Sequence, residues 1–466
     1  MRLDEIFRTL GSDIFLGIAG IILLYALFGI GYFIIYRKIL KGSKKISRRQ
    51  IIMTALMIGY LIVIIGITLL GRAQGMYGRV NLHFLSSYRE AWNKFDVRSW
   101  QYIIFNIIMF VPLGILLPIA HKKFQIFVFT LSAGLTLTMT IELFQYVTGC
   151  GIFELDDIFN NLMGTVVGYS IIMTFFSLKR KQEHKFKKSA AYFLPSLIVI
   201  LSFVSVFAYY DSKEFGNLSE NYDYKINMND VTIITELGFS TEKRTAPVYK
   251  APSLSRDSAK DFAVEFFNNI NIDTSNIEII DYYEETVFWV RGDDAYNIWL
   301  NNLDGSYSYT DYSMFDNAVP KIATAEVIKE KLKHFNINVP DGYYAFAYDE
   351  DGNYSFRVKN VVGNTLINGD LSCSYYSDDT IKSIENNMVV YEKVKDSNVI
   401  SEMEAYEKIK KGKFSYGMYA DKIDTIEVNG ISLDYRLDSK GYYQPVYIFN
   451  SLINDEPYSI IIPALP

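Results

Sequence analysis

ELDDIFNNLMGTVVGYSIIMTFFSL, residues 154–178, carries two signals at once. From Ile158 to Leu178 it runs 21 residues without a charge, the length a helix needs to cross a hydrocarbon core. Its polar and small residues are ordered. Asp157, Asn161, Gly164 and Gly168 fall at i, i+4, i+7 and i+11, one stripe on one helix face. The two glycines let another helix approach closely, and Asp157 and Asn161 top the stripe at one end. The stretch reads as a membrane helix with one face reserved for a neighbour and a polar head.

Similar runs lie on either side of it. Charge-free stretches occur at Ile14–Tyr36, Ile51–Gly71, Ser99–Ala120 and Ser189–Tyr210, and the run Phe124–Phe153 is interrupted only by Glu142. These predict six transmembrane helices over residues 1–210. No cleavage-type boundary follows the first, which reads as an anchor and not as a removed signal peptide. Lys and Arg in the short loops set the orientation. RKILKGSKKISRR (37–49) holds seven basic residues and no acid, the third loop reads HKK, and residues 179–188 hold six basic residues and one glutamate. The second loop mixes both signs, and the fourth, TGCGIFELDD, is purely acidic. Odd loops are therefore expected in the cytoplasm. Both termini and all of residues 211–466 are then expected outside the cell membrane.

The charge balance changes at the same boundary. Residues 1–209 hold 22 Lys+Arg against 10 Asp+Glu, and the remaining residues hold 24 against 42. The acidic second half argues against a nucleic-acid partner, which needs a basic footprint. Cys150 and Cys373 cannot make a disulfide framework; they are either two free thiols or one bridge.

Polar residues from four segments converge on the outer half of the membrane region. Glu142 lies six residues before its helix leaves the membrane, about 9 Å deep at ~1.5 Å per residue. An ionisable group there is costly unless paired or hydrated, which makes it a functional candidate. Gln145 shares its face at i+3. Asn106 sits near the outer surface on the third span, with Pro112 and Gly114 following where the backbone can bend. GRVNLHF (78–84) places Arg79, Asn81 and His83 at the outer interface, and Leu85–Trp100 alternates aromatic and charged residues, as expected of a segment lying along the headgroups. Glu142, Asp156 and Asp157 near one leaflet repel one another unless something cationic meets them: Arg79, a divalent cation, or a cationic ligand group.

VNLHF (80–84), NIIMFVPLG (106–114), ELFQ (142–145) and ELDDIFNNLMGTVVGY (154–169) together resemble the VanZ-like family, named for a protein associated with teicoplanin resistance in Gram-positive bacteria. The resemblance spans about residues 80–170. It carries over Asn81, Asn106, Pro112, Gly114, Glu142, Gln145, Asp157, Asn161 and Gly164. The sequence departs from the family pattern twice. An arginine expected after the fourth span is replaced around Cys150, and Glu154 stands where an Asp is expected. The first departure removes support for phosphate binding at that loop.

Past Tyr210 the pattern turns to tyrosine-rich alternation in about three units, each a helix followed by strands. The helices are SAKDFAVEFFNNI, with Ala259, Phe262, Ala263, Phe266 and Ile270 on one face, TAEVIKEKLKHF, with Ala325, Ile328, Leu332 and Phe335, and ISEMEAYEKIKKGKF, with Ala405 and Ile409; Asp304-Gly305 and Asp351-Gly352 read as hairpin turns. This predicts an extracytoplasmic α+β domain over 211–466, whose layout resembles PepSY-like or YycI-like domains. No GxSxG, HExxH or Walker pattern is present in it.

Three functions fit this sequence. The first is a binding or protection protein, its outer-leaflet pocket (Arg79, Asn81, Asn106, Glu142, Gln145, Asp156, Asp157, Asn161) engaging a lipid-linked envelope precursor or a lipoglycopeptide. The second is a membrane enzyme on a lipid-linked substrate, with Glu142 as general base and Asp156 and Asp157 holding a divalent cation; no nucleophile–base pair is legible for it. The third is an envelope sensor or scaffold. A transporter is disfavoured by the absence of an ATPase motif or a visible inverted repeat. The first is the expectation carried forward.

Overall fold

The computed structural model describes residues 47–70, 75, 78–180, 184–219 and 226–466, apart from 283, 293, 317, 344 and 418–421. The expected first span, 14–36, and most of the first basic loop lie outside the described residues. The chain divides into two compact units, residues 1–91 with 97–214, and residues 92–96 with 215–466.

The first unit is helical. Helix α1 (Arg48–Ile65) starts at Ser47, which accepts from the Gln50 backbone N–H (3.2 Å) while the Gln50 side chain accepts from the Ser47 N–H (2.9 Å), a reciprocal cap. It continues as a π-helical turn, Gly66–Leu70. A two-residue strand β1 (Val80–Asn81) and helix α2 (Ser86–Lys94) precede α3 (Val97–Ala120), α4 (Phe127–Thr148), strand β2 (Phe153–Glu154), α5 (Leu155–Lys179) and α6 (Lys185–Ser212). Among the described residues five helices are long and apolar enough to cross a membrane: Arg48–Leu69, α3, α4, α5 and α6. They coincide with the last five of the expected spans.

Local boundaries differ from the sequence reading in two places. The run Phe124–Phe153 is helical only over α4. Its beginning is a 3-10 turn, Lys122–Gln125, and its end is set by Gly149 in the left-handed conformation (φ 69°), a common way for a helix to stop. Pro112 and Pro118 lie inside α3 without ending it. Beside the carbonyl that Pro112 leaves without a helical partner, Tyr60 of α1 donates its hydroxyl to the Met109 carbonyl oxygen (3.2 Å).

The α3–α5 contact is the closest in the unit. A Cβ placed on Gly164 would stand 1.9 Å from the Ile107 carbonyl oxygen, one on Gly168 2.0 Å from that of Val111, and one on Gly114 2.1 Å from that of Thr165. The expected stripe is thus a seam where two backbones touch, with small residues on both helices. On its other side α5 meets α6, where Ser170 donates to the Tyr192 carbonyl and Ser196 to that of Val167 (3.3 Å).

The second unit is built on a 14-stranded sheet, strands β3 to β16 in chain order. Its spine runs β3 (Thr232–Ile234), β14 (Thr425–Leu437), β15 (Tyr442–Ile453), β4 (Arg244–Lys250), β13 (Val389–Val399), β11 (Thr365–Tyr375), β12 (Ile381–Asn386), β8 (Tyr307–Asp311), β7 (Ala295–Asn301), β6 (Glu285–Arg291) and β5 (Glu278–Tyr282). Strand β10 (Asn353–Val362) joins β11 to β9 (Ala345–Tyr348), and β16 (Glu456–Pro463) pairs with β15. Among the described residues of this sheet, the β3–β14 pairing alone is parallel. Three helices, α7 (Arg256–Asn269), α8 (Ala325–Leu332) and α9 (Glu402–Lys410), each run into a set of these strands.

The helix faces read from periodicity are the buried ones. Ala259, Ala263 and Phe266 of α7 share one core with Ala325, Ile328 and Leu332 of α8, and with Phe335 just beyond it. Ala405 and Ile409 of α9 fill a second core with Tyr447, Phe449 and Ile460. The two Asp-Gly pairs lie in the β7–β8 and β9–β10 hairpin turns.

Candidate functional site

The polar residues of the first unit gather around the N-terminus of α5. Three buried carboxylates stand there: Glu142 is 2% exposed, Asp156 1% and Asp157 6%. The Glu154 N–H, at the N-cap of α5, donates to Glu142 Oε2 (3.0 Å), while Asp156 and Asp157 occupy the first helical turn. All three therefore sit at the positive end of a helix, amid backbone N–H groups that have no helical acceptor. The sequence reading required something cationic to meet these acids. The α5 dipole supplies part of that compensation.

DDIFNN, residues 156–161, splits into two i,i+4 pairs that look in different directions. Asp156 and Asn160 face α2. The N–H groups of Leu85 (2.6 Å) and Ser87 (2.8 Å) and the Ser86 hydroxyl (3.3 Å) all donate to the Asp156 carboxylate. Asn81 donates to the Ser86 hydroxyl (3.0 Å) and accepts from the His83 N–H (3.1 Å), and the Tyr88 hydroxyl donates to Asn160 Oδ1 (2.5 Å). Asp156 thus caps α2 from another segment, next to Leu85, whose φ of 63° is unusual for a branched residue. The parallel β1–β2 pair, Val80 with Phe153 and Asn81 with Glu154, fastens the same two loops. Arg79, exposed, accepts from the Phe153 N–H through its carbonyl (3.1 Å). Leu85–Lys94, the first part of the stretch Leu85–Trp100 expected to lie along the headgroups, forms a turn and a helix held by α5.

Asp157 and Asn161 face the opposite way. Asn106 Nδ2 of α3 donates to Asp157 Oδ1 (2.6 Å), and Asn161 Nδ2 donates to the Thr138 hydroxyl of α4 (2.9 Å), one turn from Glu142. Gln145, three residues past Glu142, donates to the Thr68 carbonyl in the π-helical turn (3.0 Å). The structure therefore brings Asn106, Glu142, Gln145, Asp157 and Asn161 onto the facing surfaces of α1, α3, α4 and α5. It places Asn81 and Asp156 in the adjoining α2 anchor, and Arg79 at the rim of that anchor.

Two buried acceptors remain without a donor: Gln145 Oε1 and Asn161 Oδ1. Leaving such an atom unpaired costs about 1–3 kcal/mol. Together with the carboxylates, the cluster offers oxygens to donors. Among the described residues no group of three His, Cys, Asp or Glu side chains is arranged to hold a metal ion. Cys150 and Cys373 are both free thiols.

Sequence reasoning missed Thr68, Ser86, Tyr88 and Thr138. Their hydroxyls, and the Thr68 carbonyl, become partners only after the helices pack, so no spacing marks them.

Residues 57–178 match the VanZ/LLP1 family. The match takes in α3, α4, α5 and every residue of the cluster. No curated protein matches the chain. Among solved structures it resembles an uncharacterized protein from Eubacterium rectale at 14% identity, covering 52% of this chain and 90% of that one, with a TM-score of 0.24. It also resembles the YpeB C-terminal domain of Bacillus megaterium at 14% identity, covering 46% and 94%, with a TM-score of 0.21.

A cleft of about 360 Å³ in the second unit is lined by Asp311, Lys331, His334 and Asp379 among others. Hydrogen bonds from Lys321, Tyr375 and Lys331 hold the Asp379 carboxyl well below the usual carboxylate range.

Proposed function

We propose that the VanZ-like membrane unit is a binding protein of the cell envelope. Its cluster engages the donor-rich headgroup of a lipid-linked envelope component, or a lipophilic glycopeptide of the teicoplanin type, and so lowers the effect of such an antibiotic. Glu142 and Asp157 carry the charge, Asn106 and Thr138 orient their neighbours, and Asn161 and Gln145 offer carbonyl oxygens. Asp156 and Asn81 position the α2 segment over the cluster. The positive-inside pattern of the loops supports an outward orientation for this end of the bundle and for residues 211–466.

One observation carries the reading: two buried amide oxygens lack a donor beside two buried carboxylates. Such a surface favours ammonium, hydroxyl and amide N–H groups, which lipid-linked glycans and glycopeptides present in number. The test is teicoplanin susceptibility of cells making the intact chain or its Glu142→Gln variant at equal membrane abundance. Loss of protection in the variant supports the reading. Equal protection by both removes the cluster from the mechanism.

A further inference from the structure

At the opposite end of the same bundle, α1, the end of α3 and the end of α5 surround a cavity of about 1330 Å³. Arg49 enters from α1, Lys122 from the turn after α3, and Lys179 and Arg180 from the end of α5. No Asp or Glu is among the described residues that line it. The partners of these cations are neutral: Arg49 donates to the Ile119 carbonyl (2.8 Å), Arg180 to Gln125 Oε1 (2.8 Å), and Lys179 lies over the Phe175 ring (4.3 Å). Each guanidinium keeps further donors for a ligand. Below the cations the wall becomes apolar through Met53 and Met57 of α1, whose flexible thioether chains adapt to irregular partners.

We propose that this cavity binds an anionic phospholipid, its phosphate held by Arg49, Lys122 and Arg180 and its acyl chains lying along Met53 and Met57. The chemistry that selects it is a phosphate joined to an apolar tail. Guanidinium groups suit phosphate because they can donate two parallel bonds to it. A charge cluster with no carboxylate among the described residues that line it attracts acidic headgroups, each Lys or Arg adding to the preference. The apolar wall favours a lipid over free phosphate. The site is independent of the Glu142 cluster, which lies at the other end of α5.

The test uses the full chain in nanodiscs of phosphatidylcholine with a minor share of phosphatidylglycerol, with bound lipid read by native mass spectrometry. The intact protein is expected to retain phosphatidylglycerol over phosphatidylcholine by about tenfold or more. Arg49→Gln with Lys122→Gln and Arg180→Gln should abolish that preference, and Lys187→Gln should leave it unchanged. Should the triple variant fail to fold, the intact protein still decides: raising NaCl from 50 to 500 mM must erode the preference, since the contact is ionic. Equal retention of the two lipids by the intact protein overturns the proposal. So does stabilisation by millimolar inorganic phosphate without lipid retention, which would make the ligand a soluble phosphate.

Discussion

Replacing Gly164 by alanine tests the seam on which the cluster depends. The new methyl would stand 1.9 Å from the Ile107 carbonyl oxygen and 2.9 Å from its carbon, against 3.4 Å or more in ordinary contact. Both sides are backbone, so no side chain can swing away, and the two helices must part by about 1.5 Å. Gly168 and Gly114 lie along the same contact, so the separation spreads to the Val111 and Thr165 carbonyls. The Asn106–Asp157 bond, 2.6 Å long and next to Ile107 in the chain, stretches with it. Overpacking costs about 1–3 kcal/mol and a hydrogen bond to a charged group about 1.5–3, while alanine's helix propensity returns about 1. The net expectation is a loss of about 1.5–5 kcal/mol, taken from those same ranges. Thermal unfolding of the full chain in mild detergent measures it. Gly66→Ala is the matched control: that glycine has helical dihedrals and nothing within 4 Å of an added Cβ, so the change should be neutral or mildly stabilising. If Gly164→Ala proves as stable as Gly66→Ala, the close crossing is wrong.

Three further outcomes are expected. Asp156→Ala removes the acceptor for the Leu85 and Ser87 N–H groups, so residues 83–90 should exchange amide hydrogens faster and stability should fall by about 1–3 kcal/mol; unchanged exchange there would contradict the capping role. Burial pushes the Cys373 thiol up to about 12. At pH 8 its thiolate fraction is then on the order of 1 in 10,000, against about a quarter for an ordinary thiol, and maleimide should label it only after unfolding; rapid labelling of the native protein would refute this. The Asp379 carboxyl is depressed by Lys321, Tyr375 and Lys331, so its contribution is present above the unfolded value near 4 and lost as pH falls through the folded one. Asp379→Asn should therefore lower the urea midpoint at pH 7 by a margin that shrinks as pH falls below about 4; a gap as wide at pH 2 as at pH 7 would show that the carboxylate's charge is not what matters.

The parts of the fold legible in the sequence are those with a local period. Four charge-free runs and the one interrupted by Glu142 became the five apolar helices among the described residues, because length and hydropathy alone decide whether a helix can lie in lipid. The stripe from Asp157 to Gly168 became a packed seam for the same reason, and so did the buried faces of α7, α8 and α9. What depends on distant pairing was not legible. The sheet order places β4 between β13 and β15, roughly 150 to 200 residues away, and nothing local to Arg244–Lys250 announces those neighbours. At the site, the sequence placed Asp156 with Asp157 as charges awaiting a cation. Adjacent residues on a helix point about 100° apart, and that rotation gives Asp156 to the α2 turn and Asp157 to Asn106. The relief from the α5 N-terminus required knowing where the helix starts, which the motif alone left open.

The most direct test is a binding titration of the full chain in nanodiscs against labelled teicoplanin and against a lipid-linked peptidoglycan precursor, beside Glu142→Gln and Asn161→Leu. Glu142→Gln keeps the acceptor for the Glu154 N–H while removing the charge, and Asn161→Leu removes an oxygen left without a donor. Saturable binding of at least one ligand by the intact protein is expected, about tenfold weaker in each variant, measured below the melting temperature of each protein because Asn161→Leu also loses the bond to Thr138. Binding of equal strength in all three proteins would contradict it, as would no binding of either ligand by the intact chain.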